Sequence, residues 1–212
     1  MYKNTFLVWE HIKQHATVYL FMIILFLTGI IFGAVIVNSM DFIQKQDLFF
    51  YLERFFVQIT EGVSIEKKDI FWQSFIFHAK YLILLFVLGL SVIGLPLVWI
   101  LLFVKGMVVG FSVGFIVNQL GLLEGLFLAS LSIAPQNIII IPVYITAGSL
   151  SMIFSLGLLN KLFSRRNNQQ LLQPFIRYCI IFILLLILSL LAAFIEAYIA
   201  NNAMEELIKS FY

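Results

Sequence analysis

The chain has 212 residues, of which 62% are hydrophobic and 11% charged, with a net charge of +2 and a mean hydropathy of +1.05. A water-soluble domain carries about 25% charged residues, so a soluble globular fold is excluded: lipid is the solvent for much of the surface. The weak positive charge gives no electrostatic footprint for nucleic acid. The single cysteine, Cys179, lies in an apolar run and excludes a disulfide framework.

Taken in order, residues 1–16 read as an interfacial amphipathic helix, with Tyr2, Phe6, Trp9 and Ile12 on one face. The first crossing is expected at 17–38. Its run from Ala16 to Val37 exceeds a signal-peptide core of about 7–15 residues, so it is expected to stay as an anchor. Gly29 and Gly33 give it a small-xxx-small face. Residues 39–80 form the one sizeable polar loop. Inside it Leu48, Leu52, Phe55 (or Phe56) and Ile59 recur at helical spacing, predicting a second interfacial helix that contacts a partner or the membrane.

The second crossing is expected at 81–104, kinked by Gly94 and Pro96, with Lys105 marking a tight reversal and serving as a topology charge. The third, 106–123, opens with Gly106, Gly110 and Gly114 at four-residue spacing, a helix-packing or partner-contact stripe. Residues 124–137 are too short to span and read as re-entrant or interfacial. Pro135, Gln136 and Asn137 are expected to break and cap the start of the fourth crossing, 138–160, which carries Pro142 in its first turns. The fifth crossing, 176–199, follows a basic loop and precedes an acidic tail. The whole is one all-α polytopic membrane domain of about five transmembrane helices.

With the N-terminus inside, cytoplasmic segments hold seven basic residues against one acid, and extracytoplasmic segments six against ten. That asymmetry predicts a cytoplasmic N-terminus and an extracytoplasmic C-terminus.

Chemistry is sparse. Gly110-Phe111-Ser112-Val113-Gly114 matches a nucleophile-elbow pattern, but Ser112 falls within a helix. Counted from a crossing that begins at 106, it should lie far from His78, so the glycines read as packing. Glu196, an acid late in the fifth crossing, is a functional candidate in principle. Its nearness to the tail favours a structural or partner-binding carboxylate that snorkels outward. No metal-ligand spacing, cofactor loop or catalytic pair is present, so no metal, no cofactor and no enzyme activity are expected.

Several segments together resemble the stage II sporulation protein M family. They are Tyr19-Leu20-Phe21, the run Thr28-Gly29-Ile30-Ile31-Phe32-Gly33-Ala34-Val35, the segment Asp47–Phe56, Lys105-Gly106-x-x-x-Gly110, and Pro135-Gln136-Asn137 with Ile141-Pro142. The wider family often has Pro-His-Gly and then Glu-(Ile/Leu)-Pro at that last place. This chain has Gln136 for the histidine and Ile140 for the glutamate, which removes two titratable groups. The resemblance implies a non-enzymatic scaffold in the mother-cell membrane at the sporulation septum. It would recruit, localise and stabilise peptidoglycan-degrading partners resembling stage II sporulation proteins D and P. That role serves septal wall thinning and migration of the membrane around the forespore during engulfment. Self-association into an oligomer is also compatible with the sequence. A small multi-pass transporter or channel is the alternative, supported by the broken helices and weakened by the lack of a charged pair expected at mid-membrane depth.

Overall fold

A computed structural model describes residues 10, 12–60, 66–163 and 172–200. Its elements are α1 (Ala16–Ser39), α2 (Phe42–Thr60), α3 (Lys67–Gly89), α4 (Gly94–Leu120), α5 (Leu122–Ser132), α6 (Ala134–Phe163) and α7 (Leu172–Ile195), the last continuing as a π-helical turn, Glu196–Ala200. Five helices (α1, α3, α4, α6 and α7) are long and apolar enough to cross a bilayer, so the chain is an all-α polytopic membrane protein. Most of the expected N-terminal helix, the loop 164–171 and the acidic tail lie outside the described residues.

α1 is apolar all round, so lipid can lie on any side of it. What selects its inner stripe is size: Met22, Phe26, Gly29, Gly33 and Val37 are buried, while Leu20, Ile24, Leu27, Ile31 and Val35 are exposed. The stripe faces α4. A methyl group at Gly29 would collide with the backbone carbonyl of Phe103, and one at Gly33 with that of Met107. Conversely, Gly106 abuts the carbonyl of Phe26 and Gly110 that of Ile30, with Gly114 against Ala34. Partner numbers rise together along the two helices, so α1 and α4 run parallel with their backbones in contact. All five glycines singled out from the sequence therefore sit in one intramolecular seam, which leaves no space there for the anchor of another protein.

The chain reverses between Gly89 and Gly94, not at Lys105. α3 begins at Lys67 and ends at Gly89, and α4 begins at Gly94. A Cβ at Gly94 would strike the carbonyl of Leu88, so the turn closes too tightly for a side chain. Pro96 falls in the first turn of α4, where its missing N–H costs no hydrogen bond; it opens a helix and kinks none. Lys105 lies eleven residues in, about 16 Å along a helix about 40 Å long. α4 ends at Gly121, whose φ of 86° is the left-handed conformation that glycine adopts readily.

α5 folds back on α4, with Gly125 against the backbone of Val117. The 124–137 segment, read from sequence as re-entrant or interfacial, is built from this short helix and the start of α6. Asn137 Nδ2 donates to the carbonyl of Ile133 at 2.8 Å and so satisfies a group at the α5–α6 junction, whereas Gln136 reaches elsewhere. Pro142 lies inside α6, which continues through it.

α6 is the most enclosed helix. Ser151 Oγ donates to the carbonyl of Leu85 at 2.9 Å and Ser155 Oγ to that of Ser91 at 2.9 Å, pinning α6 parallel to α3. Tyr178 of α7 donates to the carbonyl of Phe86 at 3.0 Å and stacks between Phe86 and Phe154, at 5.0 and 4.6 Å between ring centroids. Interhelical hydrogen bonds within membranes average about 0.6 kcal/mol each. Below the level of Lys105 the interior is closed by Met22, Leu82, Leu85, Val98 and Leu102, all fully buried. α2 stands apart: among the described residues it has no extended contact with the other helices.

Gly33→Leu or Gly110→Leu should destabilise the detergent-solubilised chain by about 3 kcal/mol or more, because the added atoms meet backbone rather than movable side chains. Gly157→Ala, at a glycine with open space around it, should leave the melting temperature unchanged or slightly raised. Equal melting of all three variants would contradict the α1–α4 seam.

Candidate functional site

Between α3, α4, α6 and the end of α7 lies a cavity of about 470 Å³. Its walls carry Gln73, Ser74, Phe77 and His78 from α3, Lys105 and Ser112 from α4, Gln136 and Asn137 from α6, and Glu196. The polar lining occupies the half of the bundle nearer α2 and reaches down to Lys105. A charged pair thus does share a cavity deep in the helical bundle, contrary to the expectation from sequence.

Lys105 reaches that cavity because α4 is continuous. Its ammonium lies 4.3 Å from the centroid of the Phe77 ring, 5.1 Å from that of Tyr144 and 5.5 Å from that of Tyr81. Ring faces are negative, and a desolvated cation gains about 2 kcal/mol from such a contact. The rings hold the charge in place without an acceptor: among the described residues no hydrogen bond or ion pair is found on the Lys105 nitrogen.

Glu196 supplies the opposite charge. Ser74 donates its hydroxyl proton to Glu196 Oε2, and the carboxylate and the Lys105 ammonium attract each other across the cavity. The switch from α to π geometry begins at Glu196, a distortion that recurs at functional sites. Ser74 and the cavity hold the carboxylate inside the bundle, so Glu196 is half-buried.

His78 is 3% exposed and uses both ring nitrogens. Gln136 Nε2 lies 2.6 Å from Nε2 and Tyr144 Oη 2.5 Å from Nδ1. With the amide assigned in this sense, Gln136 donates to Nε2, so the ring proton sits on Nδ1 and is donated to Tyr144. Gln136 therefore orients a histidine and is not a helix cap. Ser112 lines the same cavity as His78, since α4 starts at Gly94 and carries Ser112 to the α2 side. The histidine has no free nitrogen to act as its base. Among the described residues no three His, Cys, Asp or Glu side chains converge at metal-binding distance.

The other expected contact residues lie on α2. Leu48 and Leu52 are half-buried, while Phe42, Ile43, Phe50 and Tyr51 are exposed, and Arg54 stacks on Phe50 at 4.5 Å. The side chains of Phe55 and Phe56 lie outside the described residues. Sequence reasoning missed His78, Lys105, Ser74 and Tyr144 as a group. The available signal was Lys105 itself, flanked on both sides by apolar residues at helical spacing.

A family model described as stage II sporulation protein M matches residues 22–201. No curated protein and no solved structure matches the chain.

In a double-mutant cycle, Lys105→Met and Glu196→Gln should each lower the melting temperature in detergent. The double variant should lose less than the sum, with a coupling of about 1 kcal/mol or more. Strictly additive losses would mean that the two charges do not sense each other.

Proposed function

The chain belongs to the stage II sporulation protein M family, and from that premise we propose that it is a non-enzymatic membrane scaffold. In this reading it recruits and stabilises peptidoglycan-degrading proteins, of the kind represented by stage II sporulation proteins D and P, at the sporulation septum. There it supports wall thinning and movement of the mother-cell membrane around the forespore. The observation that carries the proposal is α2: a 19-residue helix with exposed aromatic and charged side chains, held apart from a bundle whose α1–α4 glycine seam is internally filled. The histidine that shares the cavity with Ser112 has both ring nitrogens engaged and is not available as its base.

The orientation supports this reading. With Lys105 assigned to the bundle interior, the segments on the side of the α3–α4 turn still hold Lys3, Lys13, Lys161, Arg165, Arg166 and Arg177 against the single acid Glu10. The charge rule then sets that side in the cytoplasm, and α2 lies outside, on the side of the cell wall.

Photo-crosslinkers at Phe50 and Tyr51 should capture a wall-degrading protein in sporulating cells, and one at Ile187, exposed on α7, should not. Equal capture at all three positions, or capture of lipid alone from α2, would reduce that helix to a membrane contact. In intact cells a membrane-impermeant thiol reagent should modify a cysteine placed at Lys67 and spare one placed at Lys161. The reverse pattern would invert the topology and remove α2 from the wall side.

A second reading, small-solute or proton transport, is favoured by the cavity with its two charges. Against it stands the plug of fully buried side chains beneath Lys105. Proteoliposomes should accordingly pass no more protons or sodium than empty vesicles. A flux abolished by Glu196→Gln would establish transport instead.

A further inference from the structure

The cavity does not end at its polar walls. Val109, Ile133 and Asn137 line it on one side and on the other line a second hollow of about 590 Å³ between α4, α5 and α6. The second hollow is apolar, with Val113, Leu126, Ile138, Ile141 and Pro142 in its walls. Leu126 and Ile138 are 47% and 72% exposed, so the groove faces the surrounding lipid. A charged chamber and an apolar channel thus share a wall, each of a size that accommodates part of a small organic molecule.

We propose that the two hollows form one binding site for a phospholipid with an amine-bearing, zwitterionic headgroup of the phosphatidylethanolamine type. The headgroup would sit in the polar cavity and one acyl chain in the apolar groove. Charge complementarity selects the occupant. The Lys105 ammonium is held by rings alone and keeps all three N–H donors for an anionic oxygen. Among the described residues the Glu196 carboxylate has one protein donor, Ser74, and keeps acceptor capacity for an amine. Lys105 and Glu196 are not in direct ion-pair contact, so a headgroup carrying both charges can engage each of them. A purely anionic headgroup would satisfy Lys105 but add negative charge near Glu196. The inference is independent of the scaffold reading, since neither α2 nor any wall-degrading partner takes part in it.

Native mass spectrometry of the detergent-purified full chain tests it. The probes are phosphatidylethanolamine and phosphatidylglycerol with identical acyl chains, and the chain-free glycerophosphoethanolamine. Phosphatidylethanolamine adducts should exceed phosphatidylglycerol adducts about tenfold at equal concentration. They should fall about tenfold in Lys105→Met, which removes the cation, and in Ser130→Trp, which blocks the groove at a residue remote from both charges. Glycerophosphoethanolamine at equimolar concentration should not displace them. Equal adducts of the two lipids would overturn the proposal, as would displacement by the chain-free headgroup or unchanged binding in both variants. The wild-type comparisons decide the matter even if a variant fails to fold.

Discussion

In a bilayer, two apolar helices gain nothing from hiding their side chains from lipid, so their association depends on how closely the backbones approach. The seam between α1 and α4 meets that demand. Gly29, Gly33, Gly106 and Gly110 each lie where a single added carbon would strike a carbonyl or amide of the other helix. Contact this close fixes more than proximity. It sets which residue of α4 faces which residue of α1, and thereby which face of α4 is left for α3 and α6. That remaining face carries Lys105 and Ser112, and the polar interior of the bundle follows from the seam on its opposite side.

A lysine in such a place has to be accommodated by what surrounds it. Three aromatic rings cradle the ammonium, and a carboxylate from the far end of α7 balances it across the cavity. Tyr144 serves twice, as one of those rings and as the acceptor for His78. His78 in turn is oriented by Gln136. The polar groups of four elements are thus mutually dependent, while the opposite half of the bundle is packed solid with Leu82, Leu85, Val98 and Leu102. The protein is asymmetric along the membrane normal: the charged cavity lies in the half next to α2, and the half next to the α3–α4 turn is filled by packed side chains and the Ser151, Ser155 and Tyr178 hydrogen bonds.

How much of this could be read from sequence depends on what hydropathy can distinguish. Span number and helical class are carried by apolar run length, a quantity written directly in residues such as Ala16–Val37. The contact role of the glycines was equally readable, since five small residues at four-residue spacing have few other uses in a membrane helix. The reversal at Leu90–Ile93 was hidden because the turn is itself apolar and leaves the hydrophobic run unbroken. The cue was the group Gly89, Ser91, Gly94 and Pro96, which reads as turn and helix start once a helix is allowed to begin there. With the reversal misplaced, Lys105 became a loop charge and Ser112 was assigned to the wrong depth, so the cavity could not be assembled. Glu196 was recognised as anomalous, but its partners Ser74 and Lys105 are separated from it by 122 and 91 positions in the chain, and single-sequence periodicity carries no information over that distance.

The parallel pairing of α1 with α4 also has a bearing on biosynthesis. Gly33 and Gly110 are 77 positions apart, and at about 5–20 residues per second the ribosome needs roughly 4–15 seconds to deliver the second after the first. Throughout that interval the grooved face of α1 is in the bilayer without its mate, and α3 must first insert in the opposite direction before α4 can arrive in the matching one. Lys105 precedes Tyr144 and Glu196 by 39 and 91 positions, so its enclosure is complete only once the later helices have been delivered. Of the three rings that hold the Lys105 ammonium in the finished fold, Phe77 and Tyr81 are delivered before it and Tyr144 after it.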